Sequence, residues 1–258
     1  MGGFSGLMSS GMVTFGDFGP SFNFGGLGSG ITTSYAGGLN FNYDKAKKLE
    51  LNTSYFYNHI KNEQESDAVR EYFNTDDNFT TKETATQLSK NHNHNINYRL
   101  KYTIDSLSNI QIKGKAGFND GISEANSLRR GFTNGDILQN SFLTENHGEG
   151  VGLNISSEII YRRKFHKPGR SLVADFEVKH SNDDRQSGLN YVNSFFIPDT
   201  LSSVDTTLQN QDYLNKSLNY GGKIKYVEPI NKGRYLEFSY EHNERNNKLD
   251  KDYFDLLP

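Results

Sequence analysis

Residues 95–104 read NINYRLKYTI, and every second residue of this stretch is apolar. The apolar set is Ile96, Tyr98, Leu100, Tyr102 and Ile104, and the polar set is Asn95, Asn97, Arg99, Lys101 and Thr103. Successive side chains of a β-strand point to opposite faces of the sheet. The stretch therefore predicts a strand with one apolar and one polar face.

The same alternation recurs seven times along the chain, at residues 35–44, 48–58, 109–118, 151–162, 172–180, 218–226 and 236–242. A length of about ten residues is what a tilted strand needs to cross the hydrocarbon layer of a membrane. Strands of ordinary globular domains are nearer five or six residues. We therefore predict an all-β fold, namely an antiparallel transmembrane β-barrel segment of about eight strands.

The links between these segments alternate between short and long. The short links, at 44–47, 105–108, 164–171 and 227–235, contain Asp, Ser, Pro and Gly, which are typical of tight turns. The long links cover 59–94, 119–150, 181–217 and the residues after 242. Loops of about thirty residues are rare in globular domains. Short periplasmic turns alternating with long extracellular loops are typical of outer-membrane barrels.

This pattern predicts a domain organisation of three parts. Residues 1–33, which are rich in Gly and Phe, form an extracellular loop. Residues 34–245 form a β-barrel segment of four hairpins. Residues 246–258 begin a further loop, and the barrel is incomplete.

The composition excludes several classes of protein. The 258 residues include no cysteine, which excludes disulfide scaffolds, thiolate metal sites and Cys nucleophiles. A net charge of −3 provides no basic surface for nucleic acid. The mean hydropathy of −0.74 is low, yet 13% of the residues are aromatic, which is atypical of disorder. Strands with one wet and one lipid-facing side reconcile these two values.

The alternation assigns individual residues to two environments. We predict that the lumen-facing polar residues include Arg99, Lys101, Lys113, Lys115, Glu158, Asp175, Glu177, Lys223 and Glu237. We predict that the lipid-facing aromatic residues are Phe41, Tyr43, Tyr55, Tyr57, Tyr98, Tyr102, Tyr161, Phe176, Tyr220, Tyr226, Phe238 and Tyr240. Tyrosines near the strand ends are placed to form an aromatic girdle. Phe56 is an apolar exception on the polar face.

Residues 24–44, FGGLGSGITTSYAGGLNFNYD, and the following KAKKLELNTSYFYNH resemble the barrel region of TonB-dependent-receptor-like outer-membrane proteins of the Bacteroidetes. The resemblance covers residues 20–60 closely and extends more loosely to Tyr240. It implies a longer parent protein with a β-sandwich domain, a plug and a barrel of about 22 strands. This chain shows no signal peptide, TonB box, sandwich, plug or closing strand that ends in an aromatic residue. We therefore expect an internal barrel fragment of roughly a third of such a protein.

Candidate binding and catalytic residues are few. His92 and His94 have the spacing of two ligands on one side of a strand, without a visible third ligand. Asn74, Asp76, Asp77 and Asn78 could offer oxygen ligands to calcium but lack EF-hand spacing. The residues His147, Asp183, Asp184, Ser187 and His242 show no spacing of a catalytic set. We expect no enzyme activity, no metal and no cofactor.

Two further features concern the predicted loops. The aromatic segment 188–199 and the Phe-rich opening could bind a ligand, although packing of loops against one another is favoured. Of the sequons at Asn52, Asn78, Asn154 and Asn215, those at Asn52 and Asn154 fall within strands, where glycosylation is not expected.

The function that these patterns and the resemblance imply is nutrient uptake across the outer membrane of a Gram-negative cell. The expected partners are outer-membrane lipid, an unknown extracellular substrate, and the plug and TonB energy-coupling system of the parent protein, with no nucleic acid. The alternatives are a structural or adhesive surface barrel that presents its loops, a small complete eight-stranded barrel, and an outer-membrane enzyme.

Overall fold

The computed structural model describes residues 12–14, 21–23, 30–46, 48–73, 79–133, 137–198, 200–231 and 233–255. Two short strands, β1 (Met12–Thr14) and β2 (Ser21–Asn23), pair with each other. The remaining strands are β3 (Ile31–Lys45), β4 (Leu49–Tyr72), β5 (Phe79–Thr103), β6 (Ser108–Thr133), β7 (Ile137–Lys164), β8 (Ser171–Ile197), β9 (Thr200–Asn231) and β10 (Arg234–Asp255). Among the described residues, no helix is long and apolar enough to cross a membrane.

The eight long strands form one antiparallel sheet whose spatial order is the chain order. β3 and β10 are its two edges, and within the described part of the chain they do not pair with each other. Each predicted strand lies within one observed strand to within one residue. The predicted all-β fold with eight antiparallel strands is therefore confirmed.

The predicted strand length and long loops are wrong for the described residues. The eight strands of the large sheet are 15–32 residues long. Residues 59–94, for example, are mostly the paired upper halves of β4 and β5, which stay in register as far as Tyr72 and Phe79. The predicted strands end before the observed ones because hydropathy alternates only where the two faces of a strand meet different environments. Hydrogen bonds between strands need no apolar side chains.

The domain boundaries change for the same reason. Residues 31–33 belong to β3 and residues 246–255 belong to β10, so neither stretch is a loop. Most of the predicted loop at residues 1–33 lies outside the described residues.

The strands are staggered across the sheet. Phe41, in β3, lies four residues from the end of its strand at Lys45. When directly opposed partners are followed across the sheet from Phe41, the path ends at Glu244 in β10. Glu244 lies ten residues from the start of its strand at Arg234. The path runs through Thr53, Tyr98, Gly114, Ser157, Val178 and Tyr220. A stagger of nearly one residue per strand is what tilted barrel strands require.

The short turns lie at one end of the sheet, and their residues suit their conformations. Gly169 and Gly233 have φ values of 85° and 76°, which glycine adopts without steric cost. In the turn between β5 and β6, the Asp105 carboxylate accepts a hydrogen bond from the Leu107 amide at 2.7 Å. This bond holds the pKa of Asp105 below its usual value. We call this end of the sheet the base.

Candidate functional site: the two faces of the sheet

The register separates the two predicted residue sets completely. Directly opposed residues of an antiparallel pair share a face. Lys113, for example, is opposed by Arg99 on one side and Glu158 on the other. Together with the alternation along each strand, such pairs place all nine predicted lumen residues on one face, which we call the polar face. All twelve predicted lipid-facing aromatics lie on the other, the aromatic face. Which face meets lipid stays a prediction.

Ion pairs cross between strands on the polar face. The Nζ–Oε distances are 2.7 Å for Lys101–Glu50, Lys113–Glu158 and Lys225–Glu237, and 3.0 Å for Lys223–Glu241. Each of these side chains is 23–52% exposed. Partly exposed pairs contribute only about 0.2–1 kcal/mol each. Their main consequence is that the polar face presents charged groups to water.

The glycines of the polar face are mostly opposed by side chains that lie over them. Asparagines stand directly opposite five of these glycines, in the pairs Asn91–Gly121, Asn95–Gly117, Asn119–Gly152, Asn140–Gly131 and Asn243–Gly221. A Cβ atom at Gly121 would lie 2.5 Å from the Asn91 carboxamide oxygen. Phe56, the apolar exception of the polar face, is directly opposite Gly38 in the same way. Its ring carbon would lie 2.8 Å from a Cβ there. Because the larger side chain of each pair lies over the opposing glycine, the side chains of the polar face project only a short distance from the sheet. We call this a low polar face.

The aromatic face carries an exposed apolar belt next to the base. Leu39, Phe238 and Tyr240 are 75%, 60% and 70% exposed. Further from the base, the first charged residues of this face are Lys61, Lys90, Asp120, Glu149, Asp184, Lys216 and Glu244. Each lies ten to fifteen residues from the base end of its strand. About ten residues at a tilt of about 40° span roughly 25 Å, the height of the apolar band of outer-membrane barrels.

Aromatic and histidine rings mark both borders of this belt. Tyr43, Tyr102, Tyr161 and Tyr226 lie beside the base. Near the opposite border lies a cluster of rings, which we call the upper cluster: Tyr35, Tyr55, Tyr57, His59, His92, His94 and Phe118. Within it, the Oη atoms of Tyr55 and Tyr57 lie 2.8 Å from the Nδ1 atoms of His94 and His92. Sequence reasoning missed His59, because its partners come from other strands.

Two charged clusters lie outside the belt. At the base, Glu228 accepts hydrogen bonds from Arg170 at 2.7 and 2.8 Å, from Lys167 at 2.6 Å and from Tyr226 at 2.7 Å. These donors hold the pKa of the Glu228 carboxyl far below its usual range.

On the polar face beyond the belt, Glu83 accepts hydrogen bonds from Arg70 at 2.9 Å and Arg129 at 3.0 Å. The two guanidinium groups lower the pKa of Glu83. The Glu83 cluster links β4, β5 and β6, and the Glu228 cluster links the turn between β7 and β8 to β9.

The remaining candidate sites are not brought together. The register puts Asp183 and Ser187 on the polar face and His147, Asp184 and His242 on the aromatic face. The calcium candidates at 74–78 lie outside the described residues. Among the residues that are described, no group of three or more His, Asp or Glu is arranged to hold a metal ion.

The features predicted in loops lie largely in strands. The aromatic segment from Gly188 to Ile197 belongs to β8, and Asn215 belongs to β9. Asn52 and Asn154 are in strands, as predicted.

Comparison with known proteins gives a family match for the C-terminal part of the sheet. Residues 163–257 match the model of the outer membrane protein beta-barrel family. This stretch covers β8, β9 and β10. No curated protein matches the chain. The fold is therefore that of an outer-membrane β-barrel, and the protein resides in the cell outer membrane.

Proposed function

We propose that the chain forms part of the barrel of a TonB-dependent-receptor-like protein that takes up a nutrient across the outer membrane. The observation that carries this proposal is the low polar face. Its described glycines are Gly38, Gly117, Gly121, Gly131, Gly148, Gly150, Gly152 and Gly221.

Side chains that project only a short distance from the sheet support a wide barrel. A closed barrel of about eight strands fills its own interior with side chains, whereas larger barrels enclose a channel or a plugged lumen. A wall of Gly, Asn and Ser residues with paired charges is suited to contact water and a plug. In this proposal the aromatic face contacts outer-membrane lipid, and the plug and the TonB system act through other parts of the protein. The chain binds no nucleic acid and has no enzyme activity of its own.

The test uses the gene in its source organism. We would delete the codons for β4 and β5, alone and in a strain that lacks the TonB energy-coupling system. Growth is then measured on a panel of single carbon, nitrogen, iron and cobalamin sources. We expect slower growth on at least one source and no additional defect in the double mutant. Unchanged growth on every source, or additive defects, would contradict uptake through TonB.

A surface barrel that presents its hairpins is the second candidate. Here the favouring observation is that β4 to β9 run well beyond the belt, as with the Lys61–Tyr72 half of β4. For this function, removing the upper half of the β4–β5 hairpin should abolish adhesion and leave growth unchanged. A small closed eight-stranded barrel is also compatible with the sheet, because β3 and β10 run antiparallel to each other.

A further inference from the structure

One histidine pair in the upper cluster has an unusual arrangement. His59 and His92 are directly opposed on β4 and β5. Their ring centroids are 4.3 Å apart, and their Nδ1 atoms are 3.2 Å apart. His59 is only 9% exposed, so this geometry is held by packing against its neighbours. A neutral imidazole has one nitrogen with a free lone pair. In the tautomer that carries its proton on Nε2, each Nδ1 atom presents a lone pair, and the two Nδ1 atoms then lie within reach of one ion.

The spacing fits a shared metal ion. Imidazole nitrogens bind zinc at about 2.0–2.1 Å. Two nitrogens 3.2 Å apart around one ion subtend an angle of about 100° at that bond length, which is close to tetrahedral. The Tyr57 Oη atom is 2.8 Å from His92 Nδ1, so a hydroxyl oxygen lies beside the same position.

His94 does not converge on this position. Its Nδ1 atom is instead 2.8 Å from the Tyr55 hydroxyl, and its ring lies against Tyr57 and Phe118. The histidine pair that the structure brings together is therefore His59 with His92, and not His92 with His94.

The charged residues around the two histidines carry both signs. Asp120 on β6 is directly opposite His92 and places a carboxylate on the same face. Further from the base are Lys61, which is paired with Glu63 at 2.7 Å, and Lys90. Imidazole ligands select Cu²⁺, Ni²⁺ and Zn²⁺ over Mg²⁺ and Ca²⁺. A site with two imidazoles leaves the other coordination positions to water or to a hydroxyl group.

We propose that His59 and His92 form a chelating pair for a divalent transition-metal ion, with Cu²⁺ bound more tightly than Zn²⁺. The site lies at the border of the apolar belt, next to Lys61 and Lys90 on the side away from the base. A bound ion links β4 and β5 at this level.

The test uses the full chain refolded in detergent micelles in a non-chelating buffer. Zn²⁺ is titrated against a chromophoric zinc indicator. We expect one ion per chain, with at least tenfold weaker binding in His59→Gln and in His92→Gln. The matched control is His94→Gln, for which binding should stay within twofold. Equal losses in all three variants, or no zinc binding by the unsubstituted chain, would overturn the proposal.

A second measurement does not depend on the folding of any variant. Cu²⁺ is added to the unsubstituted chain at equimolar concentration, and its electron paramagnetic resonance spectrum is recorded. We expect hyperfine splitting from two imidazole nitrogens. Splitting from one nitrogen or from none would reject the chelating pair.

Discussion

At the scale of single residues, the structure shows how small and large side chains are paired across strands. Gly121 leaves the room that the Asn91 carboxamide occupies. Gly114, on the aromatic face, does the same for the Tyr98 ring, whose hydroxyl reaches Ser157 at 3.0 Å. Covering a strand glycine with a side chain from the next strand is a known way to stabilise a sheet. These glycines therefore specify packing partners.

The Asn91–Gly121 pair can be tested by overpacking. Gly121→Ala places a Cβ against the Asn91 oxygen and should destabilise the chain by about 1–2 kcal/mol. Adding Asn91→Ala should recover most of that loss. Gly37→Ala is the control, because no atom lies within 4 Å of a Cβ at that position. Urea unfolding in micelles, followed by circular dichroism, measures all four proteins. Equal costs for Gly121→Ala and Gly37→Ala would contradict the packing role.

Glu83 gives a prediction for the pH dependence of stability. Arg70, followed by Arg129, lowers its pKa from the usual 4.5 in the folded state. The ionised carboxylate therefore stabilises the fold above pH 4.5, and this contribution is lost as the pH falls through the lowered pKa. We expect Glu83→Gln to cost about 1 kcal/mol at pH 7.

The cost of Glu83→Gln should shrink once the pH falls below 4.5. The control is Glu65→Gln at an exposed position, which should change stability little at either pH. Urea unfolding at pH 7 and at pH 3 measures both variants. A cost that is the same at both pH values would show that the carboxylate charge is not the cause.

At the scale of elements, each strand from β4 to β9 is divided into a belt half and an upper half. In the belt half, the two faces differ sharply in polarity. In the upper half of β4, both faces carry polar residues, from Lys61 to Glu71. The belt half thus suits a membrane, and the upper half suits water on both sides.

The two faces of the belt half can be compared within β3. Leu39 lies on the aromatic face and Asn40, its neighbour, on the polar face. Leu39→Lys should cost about 2–4 kcal/mol in lipid vesicles, because it puts a charge among lipid tails. Asn40→Lys should cost less than about 1 kcal/mol, since its side chain stays in water. Urea titration followed by the gel shift of the folded band measures both. A larger cost for Asn40→Lys would reverse the assignment of the faces.

At the scale of the whole molecule, the base and the hairpin tips lie on opposite sides of the belt. The absence of cysteine makes this arrangement accessible to single-cysteine labelling. Ser66 is in the upper half of β4, and Ser106 is in a turn at the base.

With the full chain in the outer membrane, Ser66→Cys should react with an impermeant maleimide on intact cells. Ser106→Cys should react only after the outer membrane is permeabilised. Both variants should react fully in permeabilised cells, which controls for thiol accessibility. Labelling of Ser106→Cys alone on intact cells would invert the topology.

The sequence predicted a large part of this structure. The alternation at 95–104 and its seven counterparts located eight strands to within one residue at most boundaries near the base. The same alternation sorted Arg99 and Tyr98 onto opposite faces. It failed for the upper halves of the strands, such as residues 62–72 of β4, because polar residues on both faces of a strand leave no periodic signal.

What the sequence alone determined is the set of strands, their faces and the turns at the base, because these depend on residues near one another in the chain. Only the tertiary structure decided the register of the strands. The register aligns the border of the belt across the sheet, places Asn91 opposite Gly121 and brings His59 next to His92. Those residues are 30 and 33 positions apart in sequence, and no local pattern fixes which residues of two strands stand opposite each other.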